Sequence, residues 1–307
     1  RSSCASGDVL SQRLSHLPDA AISLPPMNAD ESRPAPRGDD AVLRSEDAVL
    51  RSEDAVLRSE DAVLRSEDAV LLSEDDGGAR VLTLNRPSAK NAFNQELWYA
   101  LAEALETAAD DDTVKCVVLT GAGDAFSAGQ DLGEMSDPSV FEGAEPGYLR
   151  LMPVVEAFPK PLIAAVNGVG VGIGLTILLH CDIAFISTDA RLKAPFVSLG
   201  VTTEASASLL MPQAMGRQRA AEVLYTEPWI DAETAVADGL ALRAYAPGEL
   251  MAATMELARH IGGLPLAPLV ATRSLLNASR SEAVAKARMA EFDQFVKLVG
   301  DMAADDR

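Results

Sequence analysis

Cysteine is scarce in this 307-residue chain: Cys4, Cys116 and Cys181 are odd in number and have no short metal-binding spacing. Neither a disulfide framework nor a zinc site is suggested, and a reducing compartment is expected. Aromatic residues make up only 5%, and the three histidines are His16, His180 and His260. No serine, histidine and aspartate set emerges around them. Positive charge is also short, with 26 Lys and Arg against 46 Asp and Glu, a formal charge of -20. Such a surface repels phosphate backbones and anionic lipid, so nucleic acid is not expected as a main partner. Long apolar runs are missing. The longest greasy stretch, Val169 to Leu179, is interrupted by three glycines and is too short to span a bilayer. A soluble protein with no membrane partner is expected.

What is present is globular composition, 48% hydrophobic and 23% charged, leaning on Ala, Val and Leu and long enough for one large or two smaller domains. The first 40 residues, with Pro18, Pro25, Pro26, Pro34 and Pro36 and no hydrophobic period, are expected to be disordered. The chain begins with Arg1, which suggests an incomplete or processed start, with Met27 a conceivable initiator. From Ala41 the heptapeptide AVLRSED occurs four times unchanged, then once more as Ala69 to Asp75 with Leu72 replacing Arg. Its three apolar residues are consecutive, so the two seams of a coiled coil are missing. A duplicated segment with no fold of its own and a transient charged helix remain as readings. The fifth copy runs through Asp76, Gly77 and Gly78 into ARVLTLN (79 to 85), which reads as a β-hairpin.

Further on, Asn94 caps an expected helix with Leu97, Leu101 and Leu105 on one face, ending near Asp110 to Asp112. Strands are expected at Val114 to Thr120, Leu162 to Val166, Asp182 to Ser187 and near Leu240 to Tyr245. Helices are expected before Pro159, over Arg217 to Tyr225, Asp231 to Asp238 and Pro247 to Ile261, and from Pro268 onward. Two glycine-rich loops share one design, in which a strand ends, glycines admit close backbone approach and a helix begins. Gln130 follows Ala128 and Gly129 in the first, and Ile173 lies between Gly172 and Gly174 in the second. These loops serve either as backbone N–H donors to a ligand or as turns and packing sites. Neither carries the Gly-Lys-Ser/Thr of a phosphate loop, and the second lacks the dinucleotide-binding fingerprint.

Five ordered blocks together resemble the crotonase superfamily, the enoyl-CoA hydratase and isomerase fold. They are RPSAKNAF (86 to 93), VVLTGAGDAFSAGQDLGEM (117 to 135), FPKPLIAAVNGVGVGIG (158 to 174), HCDIAFISTDARLKAPF (180 to 196) and GRQRAAEVLYTEPWIDAETAVADGLA (216 to 241). The resemblance spans about Ala69 to Gly300. It implies an α/β crotonase-like spiral of ββα units with a C-terminal helical region. Residues 1–68 are then a disordered lead with the tandem repeats, 69–261 the spiral core, and 262–307 a helical oligomerisation region making a homotrimer or a dimer of trimers. In the family a thioester carbonyl sits between two backbone N–H groups, by position those of Gln130 and Ile173, aided by the dipole of a buried helix starting near Leu175. Lys90, Ala92, Ala128 and Asp131 fall where the family meets CoA. Lys90 is otherwise an exposed loop lysine, and Asp131 serves to hold the first loop. CoA enters as the substrate thioester, and no separate cofactor or metal is implied.

The acids bear on the reaction. Enoyl-CoA hydratases carry two glutamates at places occupied here by Thr176 and Phe196, a departure that argues against hydration. Glu204, in PFVSLGVTTEASASLLMPQAMG (195 to 216), resembles the single glutamate of peroxisomal-type delta3,delta2-enoyl-CoA isomerases. Dienoyl-CoA isomerases add a second acid where this chain has Phe196. One carboxylate suffices to move a proton between carbons 2 and 4, and an apolar setting of Phe196, Val197, Leu209 and Leu210 would raise its basicity. The alternative for Glu204 is a solvated loop residue. His180 is expected to be packed and hydrogen-bonded rather than catalytic. The function expected is isomerisation of 3-enoyl-CoA to trans-2-enoyl-CoA. Hydratase or another crotonase activity, and acyl-CoA binding without catalysis, remain as alternatives. The chain ends without a Ser-Lys-Leu tail, and the expected compartment is cytoplasmic.

Overall fold

The computed structural model describes residues 69–135 and 145–305, with side chains described to 299. The lead and the first four heptapeptides lie outside the described residues. The fifth copy supplies β1 (Leu71–Asp76), which pairs antiparallel with β2 (Ala79–Leu84) across Gly77 and Gly78. Both glycines have positive φ, 60° and 82°, as a two-residue turn joining right-twisted strands requires. A short 3-10 turn at Pro87–Ala89 leads to α1 (Gln95–Asp110). The Asn94 side chain accepts a hydrogen bond from the Leu97 N–H at 3.0 Å, and Leu97, Leu101 and Leu105 are buried. Each such leucine contributes about 1.5–3 kcal/mol when fully buried.

A repeated unit follows, in which a strand in the first sheet is succeeded by a short strand in a second sheet and then by a helix. The first turn is β3 (Cys116–Gly121), β4 (Ala125–Ser127), α2 (Leu132–Met135) and α3 (Gly147–Ala157). The second is β5 (Leu162–Val166), β6 (Val169–Val171), α4 (Ile173–Thr176) and a 3-10 turn at Ile177–His180. The third is β7 (Ile183–Ser187), β8 (Arg191–Lys193), α5 (Ala207–Met215) and α6 (Arg217–Thr226). Then come β9 (Ile230–Asp231), α7 (Ala232–Ala237) and β10 (Arg243–Tyr245). The chain continues through α8 (Pro247–Gly262), α9 (Leu266–Ala278) and α10 (Ser281–Asp305). The first sheet has the order β1-β2-β3-β5-β7-β10 and the second β4-β6-β8-β9. This is the α/β crotonase fold, with two mixed sheets and C-terminal helices.

Alternation along β3 and β5 buries both faces of the first sheet. Val117, Leu119, Leu162, Ala164 and Val166 join a core that includes α1 and α3 residues, while Cys116, Val118, Ile163 and Ala165 pack with Leu250, Met255 and Ala258 of α8. Three expectations are adjusted. The helix after the second glycine loop starts at Ile173 rather than near Leu175, because Gly172 at φ 54° turns the chain directly into it. The last strand shortens to Arg243–Tyr245, since Leu240 and Ala241 both bond back to the Ala235 carbonyl. The tail is two helices, the first starting at Leu266; Pro268 sits in its first turn, where a missing N–H costs nothing.

Candidate active site

The three parallel strands of the second sheet, β4, β6 and β8, bring the two glycine loops together. β4 pairs with β6 (Ser127 with Gly170) and β6 with β8 (Val171 with Lys193), so residues 128–130, 172–173 and 194–196 leave neighbouring strand ends side by side. A Cβ on Gly129 would stand 2.8 Å from the Val171 carbonyl oxygen and 3.8 Å from the Gly172 Cα. With φ at 94°, only glycine fits this approach.

In the first loop Phe93 forms a parallel bridge to Gln130. Its N–H donates to the Gly129 carbonyl at 2.7 Å, and its carbonyl accepts from the Asp131 N–H at 2.9 Å. In a parallel bridge these flanking groups are the bonded ones, so the N–H of Gln130 itself is directed away from Phe93. The Gln130 side chain is tied down separately, its Oε1 accepting from Trp98 Nε1 at 3.0 Å. In the second loop the Gly172 N–H donates to the Lys193 carbonyl at 3.0 Å, and the Gly172 carbonyl accepts from the Leu175 and Thr176 N–H groups. Ile173 therefore stands at the first helical position, where an N–H has no acceptor within its helix. The buried run from Ile173 through His180 places its positive end there.

Glu204 faces this junction. Its Oε1 lies 3.7 Å, and Phe196 Cε1 3.9 Å, from the point a Cβ on Gly172 would occupy, and the Gly129 Cα is 4.0 Å from the same point. The residue is half-buried. Burial, with the negative charge of Glu291 second, pushes its carboxyl up to about 7, which suits a base working near neutrality. The Tyr148 hydroxyl accepts from the Ala205 N–H at 2.9 Å. Burial, then the Glu204 charge, raises that phenol and keeps it protonated.

The backbone after Glu204 is strained. Ala205 and Ser206 have φ of 56° and 60°, a left-handed conformation that costs about 1–2 kcal/mol for each such residue. His180 Nε2 lies 2.8 Å from the Ala205 carbonyl. That oxygen only accepts, so Nε2 carries the proton. Burial pushes His180 down to about 4, so the ring is neutral and serves as a packed, hydrogen-bonded support. The Ser206 N–H donates to Glu291 Oε2 at 2.7 Å and its hydroxyl to the Val284 carbonyl at 2.8 Å.

The remaining candidates cluster beside the first loop. Ala128 N–H donates to the Lys90 carbonyl at 2.8 Å. Arg86 Nη1 donates to the Ala92 carbonyl and pairs with Asp131 at 2.9 Å. Burial works to raise the Asp131 carboxyl, but the Arg86 bond and the Glu134 and Gly133 N–H groups leave it below the usual range. Lys90 Nζ pairs with Asp124 at 2.5 Å in an exposed position. Thr176 is buried with its hydroxyl toward the Gly172 carbonyl. Tyr148, Arg86 and Glu291 had not been singled out from sequence. Tyr148 borders a polar segment with no periodic pattern, and Glu291 is an unremarked polar position on a long helix. Of the apolar neighbours expected for Glu204, Phe196 and Leu210 are buried, but Val197 is 56% exposed in a turn closed by the Gly200 N–H. A separate cavity of about 450 Å³, lined by Glu74, Asp76, Thr83, Asn167 and Met251 among others, includes neither Glu204 nor the Gly129 and Gly172 loops in its lining. Among the described residues no helix is long and apolar enough to cross a membrane.

Residues 74–303 match the family model described as Enoyl-CoA hydratase/isomerase. The chain is 34% identical over 210 residues to 1,2-epoxyphenylacetyl-CoA isomerase of Escherichia coli strain K12, covering 66% of this chain and 80% of that protein. It is 35% identical over 189 residues to short-chain-enoyl-CoA hydratase of Clostridium acetobutylicum, covering 61% and 72%. It is 41% identical over 170 residues to enoyl-CoA delta isomerase 2 of Rattus norvegicus, covering 54% of this chain and 43% of that one. Among solved structures, an enoyl-CoA hydratase/isomerase from Pseudoalteromonas atlantica T6c superposes with a TM-score of 0.73 at 34% identity, over 75% of this chain and 91% of that one.

Proposed function

Because the chain belongs to the enoyl-CoA hydratase/isomerase family, we propose that this acyl-CoA enzyme converts 3-enoyl-CoA to trans-2-enoyl-CoA with Glu204 as its single proton carrier. One observation carries the reading: the Glu204 carboxyl lies where the Gly129 and Gly172 loops converge, beside the backbone of Gln130 and Ile173. The thioester oxygen accepts from these two N–H groups. The Glu204 carboxylate takes the proton from carbon 2, and the C–H electron pair spreads into a dienolate between the oxygen and carbon 4. Glu204 returns that proton to carbon 4, which leaves the double bond between carbons 2 and 3. Each oxyanion donor is worth about 100- to 1000-fold in rate by analogy with other enzymes, and the proton carrier about 100- to 10,000-fold.

Hydration needs a second acid to position and split water, and Thr176 and Phe196 stand where the hydratase glutamates would be. The name of the rat relative, an enoyl-CoA delta isomerase, is consistent with this reading, while that of the clostridial relative, a hydratase, represents the competing one. Lys90, Ala92, Ala128 and Asp131 form the proposed CoA region, with Lys90 exchanging Asp124 for a CoA phosphate. Residues 262–307 are proposed as the oligomerisation region of a homotrimer or dimer of trimers, supported by exposed Leu275 and Leu276 on α9 and Val296 on α10. A cytoplasmic location is proposed with it.

The decisive experiment is Glu204→Gln assayed on a 3-enoyl-CoA and for carbon 2 deuterium exchange. Loss of both by at least about 100-fold, with acyl-CoA affinity kept, is expected. Normal isomerisation by the variant overturns the assignment. Hydratase-like water addition to crotonyl-CoA by the wild type overturns the reaction class.

A further inference from the structure

The C-terminal helix reaches the base through one carboxylate. Glu291, only 5% exposed, accepts from the Ser206 N–H at 2.7 Å with one oxygen and from the Ser208 N–H at 2.8 Å with the other. These N–H groups belong to the cap position and first turn of α5, which have no acceptor within their helix. Ser206 is the residue whose side chain would ordinarily cap it, but that hydroxyl is turned to the Val284 carbonyl and makes no cap bond. A carboxylate 85 residues downstream has taken over the capping role. It fixes the backbone two and four positions after Glu204, at the second of the two left-handed residues and just beyond it.

We propose that Glu291 is a positioning residue for Glu204, which holds the strained segment that aims the base and, through its negative charge, sets how readily Glu204 accepts a proton. The inference rests on the reading of Glu204 as the proton carrier. Other charged or titratable groups around the pair are Tyr148 and Glu156 from α3, His180 from the 3-10 turn and Arg288 on α10, with Arg273 and Arg280 acting on His180 from beyond it. Arg288 is committed to Glu156 at 2.9 Å, and His180 is neutral. Among the described residues Glu291 has no salt-bridge partner of its own to screen it, and its carboxylate is held by the Ser206 and Ser208 N–H groups and the Ser208 side chain. Burial raises the Glu291 carboxyl too, while the Ser208 and Ser206 bonds favour its ionised form. A like charge held this way disfavours ionisation of Glu204.

Full-length Glu291→Gln and Glu291→Asp are compared with the wild type by kcat/KM against pH on a 3-enoyl-CoA. The same proteins, labelled with carboxyl-13C glutamate, are titrated by NMR, the Glu204 signal being assigned by its loss in Glu204→Gln. Neutral Gln at 291 is expected to lower the Glu204 midpoint, and the acid limb of kcat/KM with it, by about half a pH unit or more. Asp, which keeps the charge but shortens the reach, is expected to leave the midpoint near its wild-type value while kcat falls about tenfold through looser aim. A Glu204 midpoint unmoved by Glu291→Gln overturns the proposal and reduces Glu291 to a helix cap. If Glu291→Gln does not fold, the wild type decides: coupled carboxyls titrate in two steps, and independent single-step curves overturn the proposal. A midpoint that moves while the kcat/KM limb stays put upholds the coupling and overturns Glu204 as the base instead.

Discussion

Removing the Glu204 carboxylate should abolish turnover and yet stabilise the protein in alkaline solution. Burial lifts this carboxyl from an ordinary 4.5 to about 7, so the folded chain holds the proton more tightly than the unfolded one. The stability this provides is fully present below about pH 4.5 and is lost as pH rises through about 7. At about 1.4 kcal/mol per pH unit of separation, keeping Glu204 ionised in the fold costs about 3 kcal/mol above pH 8. Glu204→Gln is neutral at every pH and escapes that cost. The variant should therefore match the wild type within about 1 kcal/mol near pH 5 and exceed it by about 3 kcal/mol near pH 8.5, on the order of 5–10 °C in midpoint for a domain of this size. Glu156, also raised by burial, is present in both proteins and cancels in the difference, while Glu291, raised likewise, is relieved of the Glu204 charge in the variant, which adds to the alkaline gain. Denaturant unfolding of both proteins at the two pH values, at one fixed chain concentration, measures it. A stability difference that does not change between pH 5 and pH 8.5 refutes the reasoning.

Two further outcomes follow from the same geometry. Gly129→Ala puts a methyl group 2.8 Å from the Val171 carbonyl and should part the two loops, lowering kcat/KM by about 100-fold or more; steady-state kinetics at wild-type levels would sink the paired-donor reading. Tyr148→Phe leaves the Ala205 N–H without its hydroxyl acceptor, which should cost about 1–3 kcal/mol in denaturant unfolding and lower kcat more than it changes KM. An unaltered unfolding midpoint would show that water replaces the phenol without loss.

Local patterns were legible where local chemistry determines the outcome. Leu162–Val166 appears as a strand with the bounds its apolar run predicts, and Asn94 caps the helix it was expected to cap. The Gly77–Gly78 turn follows from positive φ alone, and the two glycine loops could be seen as a related pair. Their meeting could not, because it depends on β4, β6 and β8 lying parallel in a second sheet, and strands of three residues leave almost no periodic trace. The surroundings of Glu204 were legible only in part. Phe196 was anticipated, but Val197 points outward, and the polar supports come from distant segments: Tyr148 from 57 residues upstream of Ala205 and Glu291 from 85 downstream of Ser206. Hydrogen bonds across such separations have no signature in spacing.

That reach from Ser206 to the last helix also has a consequence in time. A chain emerging from the ribosome can lay down the ten described strands, through Tyr245, before Val284 and Glu291 exist to grip the segment behind Glu204. On the proposed reading, the nascent protein would have the cradle for a thioester but nothing holding Glu204 in line until the helix that carries Glu291 folds back.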